Sequence, residues 1–291
     1  MRFFWVRPLN LPFFLFTLKN TVSIRLGIIG GGVMAEAILS RLLKKNIYSP
    51  ETVLVSEPQS QRRNFWVNTY GVQVSEDNRE AARATEVLIL AVKPQILEQV
   101  VNSLLGIPEK PLIISILAGV TLNRLEMGFP DRPVIRTMPN TPATVGQGVT
   151  AIASGRHAEP EHLAVARDIF AAVGAVVEVP EALMDAVTGL SGSGPAFVAL
   201  MVEALSDGGV AAGLPRAIAS QLALETVLGT ATLLKESAIH PGELKDRVTS
   251  PGGTTIAGVR QLEKGSFRST IIEAVVAAYH RSKDLGRSSE K

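Results

Sequence analysis

Two stretches of this 291-residue chain put glycines at the start of a helix. The first is Gly30-Gly31-Gly32-Val33-Met34-Ala35. An apolar run, residues 24–29, precedes it, and Ala37, Ile38, Leu42 and Leu43 follow at helical spacing. Strand, glycine turn and helix together fit the G-x-G-x-x-A form of the dinucleotide fingerprint. Gly30 permits the tight turn, Gly32 lets backbone approach a pyrophosphate, and Ala35 keeps the helix close to the strand. The second stretch is Ser250-Pro251-Gly252-Gly253-Thr254-Thr255, after which Ile256, Val259 and Leu262 recur at helical spacing. A helix start behind Gly-Gly offers unpaired N–H groups and the positive end of the helix dipole, a place for a carboxylate or phosphate. Taken alone, the same residues also read as an ordinary capping turn.

Other positions add to the first stretch. Residues 52–56 read as a strand ending at Ser56-Glu57. Glu57 stands where an acid binds a ribose 2′-hydroxyl and favours NAD, whereas Ser56, Arg62 and Arg63 suit a 2′-phosphate. Residues 87–92 are continuously apolar, as in a strand buried on both faces, and end in Lys93-Pro94 at the crevice edge of such a sheet. Asn140, in Pro139-Asn140-Thr141-Pro142, is a candidate polar contact beside a cofactor or an Asn-Pro turn device.

Composition excludes other chemistries. The chain has no cysteine, so disulfides, Cys-ligated zinc and thiol catalysis are out, and a reducing compartment, the cytoplasm, fits. His157, His162, His240 and His280 are scattered without the i, i+4 spacing of a helical metal pair, and they read as solvated or capping groups with no metal site. Arg2, Arg7 and Lys19 supply three of the 29 basic residues, so the other 26 nearly balance 27 acids and nothing argues for nucleic acid. Residues 1–23 are apolar and interrupted by Pro8 and Pro12. The run 11–18 is far short of the roughly 20 residues a bilayer span needs. No small-residue cleavage site follows, and the segment reads as a poorly ordered extension.

The elements that would position these residues fall into two halves. Residues 24–180 alternate strands (also 112–116, 134–138, 149–153 and 176–179) with helices such as 161–172, the signature of a parallel sheet with right-handed crossovers. Residues 181–291 read as all-helical, with helices over 196–212, 216–234 and 269–285 and Pro195 in the first turn of one of them. These helices are apolar over wide faces, so they must be buried, and an obligate helical homodimer is expected. The fold class is thus a Rossmann-type α/β domain followed by an all-α dimerisation domain.

Six stretches in order resemble the pyrroline-5-carboxylate reductase family: residues 27–37 (GIIGGGVMAEA), 90–94 (LAVKP), 136–148 (RTMPNTPATVGQG), 185–197 (DAVTGLSGSGPAF), 207–216 (DGGVAAGLPR) and 244–268. The resemblance implies NAD(P)H-dependent reduction of 1-pyrroline-5-carboxylate to L-proline, the last step of proline biosynthesis, by a homodimer or a dimer-based larger ring. It implies a pyrophosphate loop at Ile29, Gly30, Gly31, Gly32, Val33 and Met34, and a second cofactor loop at Ala91, Val92, Lys93 and Pro94. Asn78 resembles an adenosine-side asparagine, and Gly253, Thr254 and Thr255 the loop for substrate carboxylate and ring nitrogen. Thr255 is the catalytic candidate that this loop supplies. Val33 departs from a polar residue more usual there. Glu57 sits where the family often has Ser or Arg, so NADPH is implied while NADH stays open. A cyclic imine is a ready hydride acceptor once protonated, which suits a site region without His, Cys or paired carboxylates. Two other readings stand beside it: a β-hydroxyacid-type dehydrogenase using Lys93 or a helix lysine as acid–base group, and a non-enzymatic dinucleotide-binding regulator.

Overall fold

The computed structural model describes residues 23–288; the extension assigned to residues 1–23 lies almost wholly outside them. The chain runs β1 (Leu26–Ile29), α1 (Val33–Lys44), β2 (Val53–Ser56), α2 (Ser60–Tyr70), β3 (Gln73–Ser75), α3 (Asn78–Ala82), β4 (Val87–Leu90), α4 (Leu97–Ser103), β5 (Leu112–Ser115), α5 (Leu122–Gly128), β6 (Val134–Met138), β7 (Gly148–Ser154), α6 (Pro160–Ala171) and β8 (Gly174–Glu178). Then come α7 (Met184–Val187), a π-helical turn (Thr188–Gly192), α8 (Gly194–Ala211), α9 (Arg216–Ser237), α10 (Pro241–Arg247), α11 (Thr254–Lys264) and α12 (Phe267–Ser288).

The strands form one sheet in the order β3-β2-β1-β4-β5-β6-β7-β8. The order reverses between β1 and β4, the topological switch point of a doubly wound sheet, and ligands bind beyond the carboxyl ends of the strands there. β1, β2, β4 and β5 are buried along their whole length because helices cover both sheet faces, which is why they are apolar runs without alternation. Trp66 and Phe170 are fully buried on one face, with Ile28, Ile38 and Leu39; Leu88, Leu97 and Leu125 fill the other.

The sheet departs from the all-parallel expectation at one place. β7 runs antiparallel to β6, with Arg136 opposite Ala153 and Met138 opposite Ala151. The link from Met138 to Gly148 holds only a tight turn over Thr141–Val145, and a parallel return needs a crossover of about a dozen residues or more. β8 then runs parallel to β7 because α6 supplies that crossover. The short edge strand β3 escaped the sequence reading, since Gln73, Val74 and Ser75 make no apolar run. The histidines described at helix starts do cap them: His162 Nδ1 accepts from the Glu159 N–H at 3.0 Å and His240 Nδ1 from the Gly242 N–H at 3.0 Å.

Glu126 ties α5 to the turn after β7. Its carboxylate accepts the Arg156 N–H at 2.6 Å and the Arg156 Nε–H at 2.9 Å. Burial alone would raise the Glu126 pKa, but the bonds from Arg156 outweigh it and hold the group below its ordinary 4.5. A depressed folded pKa means stability that is present above 4.5 and lost as pH falls through the lower folded value. Glu126→Gln is therefore expected to lower Tm at neutral pH. The gap to wild type should close in melts below about pH 4; a constant gap across that range would remove the ionic contribution.

The helical half buries little within one chain. α8 has only Ser206 buried, and α9 only Ala219 and Ala223. Leu200, Leu222 and Leu228 are more than half exposed. By length and composition alone, the helices Glu181–Ala211 and Arg216–Ser237 could also cross a membrane. α12 packs back on the π-helical turn and on α7, where the Ser282 hydroxyl donates to Asp185 at 2.7 Å.

Candidate cofactor and substrate site

The glycine turn lies at the switch point. Gly30 donates its N–H to the Ser56 carbonyl at 2.9 Å and has φ +99°, a left-handed conformation that favours glycine. Gly32 is different. A Cβ built there meets nothing within 4 Å, so packing does not demand glycine and the space faces outward. Gly32 is also the N-cap of α1, with no side chain capping it, so the first-turn N–H groups have no side-chain acceptor. An open position, uncapped N–H groups and a helix dipole are what a pyrophosphate needs, and these residues fit one.

A cleft of about 740 Å³ opens here. Gly30 to Met34 form its floor, Glu57 and Gln59 one side, and Ala91, Val92 and Lys93 the other. Ile29 backs the floor from inside the sheet, 1% exposed. Pro94 starts the tight turn after Lys93. Towards the helical half the cleft meets Met138, Asn140 and Gly192. Asn140 fastens that end: its Nδ2 donates to the Ser191 carbonyl at 3.2 Å and its Oδ1 accepts the Val149 N–H at 2.9 Å.

Five of the residues singled out in the sequence make contacts of their own around this cleft. Ser56 is 1% exposed and donates its hydroxyl to Asn78 Oδ1 at 2.8 Å. Asn78 passes on a bond to the Ser103 hydroxyl at 3.2 Å, and neither Ser56 nor Asn78 lines the cleft. Glu57 lines it, yet its carboxylate turns inward, accepting the Gly31 N–H at 3.0 Å and the Gln59 N–H at 3.0 Å. Arg63 is occupied by the Glu57 and Pro58 carbonyls, at 2.9 and 2.8 Å, and by Glu76 at 3.2 Å. Arg62 was read with Arg63 as a phosphate partner; it instead reaches the Gly31 carbonyl at 2.7 Å and pairs with Glu36. The middle glycine, Gly31, has no room for a side chain, since a Cβ there would lie 2.5 Å from Trp66 Nε1.

The second glycine stretch forms the start of α11, as its pattern required. Gly252 has φ +68°, and the Gly253 N–H closes the turn on the Ser250 carbonyl at 3.1 Å. A Cβ on Gly253 would meet Ser250 Oγ at 2.3 Å. Gly253 is the N-cap of α11 and no side chain caps it. Thr254 is exposed, whereas Gly253 and Thr255 are half-buried. None of Gly253, Thr254 and Thr255 lines the cofactor cleft of the same chain.

Fold and site define a Rossmann-type dinucleotide-binding protein with a helical second domain. Residues 181–285 match the family described as pyrroline-5-carboxylate reductase dimerisation, and residues 25–119 that described as NADP oxidoreductase, coenzyme F420-dependent. Pyrroline-5-carboxylate reductase from Synechocystis sp. is 66% identical over 266 residues, covering 91% of this chain and 100% of that one. The enzyme of that name from Arabidopsis thaliana is 44% identical, covering 91% and 97%. The crystal structure of Plasmodium falciparum pyrroline carboxylate reductase with NADP bound superposes with a TM-score of 0.82 at 34% identity, covering 91% and 99%. The chain belongs to the pyrroline-5-carboxylate reductase family.

Proposed function

We propose that the chain reduces 1-pyrroline-5-carboxylate to L-proline, the closing step of proline biosynthesis. A reduced nicotinamide held in the cofactor cleft would supply the hydride for the imine carbon, and the ring nitrogen would keep the proton that makes the imine an acceptor. The observation that carries this reading is the pair of uncapped helix starts. α1 opens at the cofactor cleft, and α11 opens at Gly253-Thr254-Thr255. N–H groups of Gly32, Val33 and Met34 hold the pyrophosphate; Ala91 to Pro94 bound the nicotinamide side. Ser56 and Asn78 stiffen the adenosine-side wall from behind. N–H groups of Gly253, Thr254 and Thr255 hold the substrate carboxylate, and the Thr255 hydroxyl meets the ring nitrogen. The protein's contribution is positioning, since the imine needs no strong acid. The absence of thiols and of paired carboxylates among the site residues agrees with that economy.

The clamp and the cleft are brought together by a second subunit. The half-exposed faces of α8, α9 and α12 supply the apolar surface for a homodimer, the assembly in which the family's dimerisation segment is named. Leu190, Phe197, Met201, Phe267, Ile271 and Val275 line an open apolar groove of about 590 Å³ on this surface, suited to a helix of the partner. A membrane is not needed to cover them, and the enzyme acts in the cytoplasm as a homodimer or as pairs within a larger ring.

NADPH is the preferred reductant. Glu57 spends its carboxylate on the Gly31 and Gln59 N–H groups, and the N-cap Gln59 side chain caps none of the first-turn N–H groups of α2, with Gln59 and Ser60 exposed. A helix N-terminus of that kind suits a 2′-phosphate. Initial rates with pyrroline-5-carboxylate should give a kcat/KM for NADPH roughly tenfold above that for NADH, the worth of one charge-assisted hydrogen bond. A higher value for NADH would reverse the assignment, and turnover of hydroxyacids in place of the imine would favour the dehydrogenase reading.

A further inference from the structure

The middle residue of the glycine turn is held at both its N–H and its carbonyl by the β2–α2 unit. The Gly31 N–H donates to Glu57 Oε2 at 3.0 Å. The Gly31 carbonyl accepts Arg62 Nε–H at 2.7 Å and Trp66 Nε1–H at 3.3 Å. Arg62 is itself fixed. Its Nη2 pairs with Glu36 of α1, whose other oxygen accepts the Tyr70 hydroxyl at 3.1 Å. The guanidinium lies 4.3 Å from the Phe65 ring centroid and 5.4 Å from that of Trp66. Trp66 is fully buried, so the platform under the arginine is rigid.

We infer that Arg62 is a positioning residue for the pyrophosphate loop, acting through the Gly31 carbonyl, and is not a reader of the 2′ substituent. This rests on the cofactor reading given above. The geometry explains the division of labour among three successive glycines. Gly30 makes the turn, Gly31 is gripped, and Gly32 is left open. Holding the Gly31 carbonyl towards α2 fixes the peptide plane that precedes Gly32. The N–H groups that follow then have one direction before any nucleotide arrives, and binding need not pay to order them. Arg suits the task because its planar fork serves the carbonyl and Glu36 together; lysine cannot do both.

The two roles predict different effects on nucleotide selectivity. NADPH and NADH share the pyrophosphate and differ only at the 2′ position. Calorimetric titration of Arg62→Met, which keeps an apolar stem over Phe65 and Trp66, should show both nucleotides weakened by a similar factor, about tenfold. The ratio of the two dissociation constants should stay within about twofold of wild type. Arg62→Lys should lose nearly as much, and Glu36→Gln should weaken both nucleotides together by a smaller factor. Steady-state kinetics should place the loss in KM for the nucleotide, with kcat at saturation little altered. Loss confined to NADPH, or Glu36→Gln binding NADPH more tightly than wild type, would overturn the inference in favour of direct contact with the 2′-phosphate. Unchanged binding of both by Arg62→Met would overturn it as well. Wild-type protein that bound neither nucleotide would sink the cofactor reading and this inference with it, which separates the two failures. Thermal melts identify unfolding; should Arg62→Met not fold, the Arg62→Lys and Glu36→Gln titrations decide by the same ratio.

Discussion

Thr255→Ala is expected to retain its fold and its affinity for the nucleotide and to lose most of its kcat/KM for pyrroline-5-carboxylate. Thr255 stands in the first turn of α11, half-buried, on a helix start that no side chain caps. In the proposed arrangement its hydroxyl meets the ring nitrogen while the backbone N–H groups take the carboxylate. A hydrogen bond to a charged imine is worth about 2 kcal/mol, or roughly 30-fold in rate. The fall should appear in kcat/KM with pyrroline-5-carboxylate as the varied substrate, while the dissociation constant for NADPH stays near wild type. Thr255→Ser keeps the hydroxyl and should recover most of the rate. Full activity in the alanine variant would remove Thr255 from the chemistry. Equal losses in substrate turnover and nucleotide binding would mean that α11 had shifted as a whole.

The parts of the site that could be read from the sequence are those that backbone conformation dictates. Gly30 and Gly252 take positive φ, and both announced a turn. The apolar run at 87–92 announced a strand buried on both faces, because covering helices leave no polar side to alternate with. What escaped depends on where side chains point. Glu57 was legible as an acid after β2, but not as an acid folded back on Gly31. Arg62 and Arg63 were legible as charge beside a nucleotide pocket; Arg62 reaches under the glycine turn because of its place on α2, which its type does not reveal. The reversal at β7 has a different source. Length of a connection, not strand composition, decides whether the next strand runs parallel. The link between the strands read at 134–138 and 149–153 is too short for a crossover, with a turn signal already present at Pro139-Asn140-Thr141-Pro142. The helical half shows the converse. Its excess of apolar surface was plain from composition, and that surface stays bare in one chain, as a face that the proposed homodimer would cover must.

That bare surface leads to the prediction with the sharpest outcome. Substrate clamp and cofactor cleft sit on different parts of one chain, and the cleft wall includes residues 30–34, 57–59, 91–93, 138–141 and Gly192 but none of 250–255. If the clamp of one subunit serves the cleft of the other, each active site draws on two chains. Two inactive variants can then rescue each other. Gly32→Asp places a carboxylate where the pyrophosphate approaches, and the open space at Gly32 means that it should fold. Thr255→Ala disables the clamp. Coexpressed, the two form heterodimers in which one site collects both defects and the other collects neither. With random pairing half of the dimers are mixed, so about a quarter of wild-type activity should return. Sites built within a single chain would give every site one defect, and the mixture would stay at the level of its inactive parents. Differently tagged subunits purified in tandem isolate the mixed dimer, in which the expected activity rises to about half of wild type. An inactive mixed dimer would place clamp and cleft in the same chain and require α11 to swing towards the glycine turn on binding.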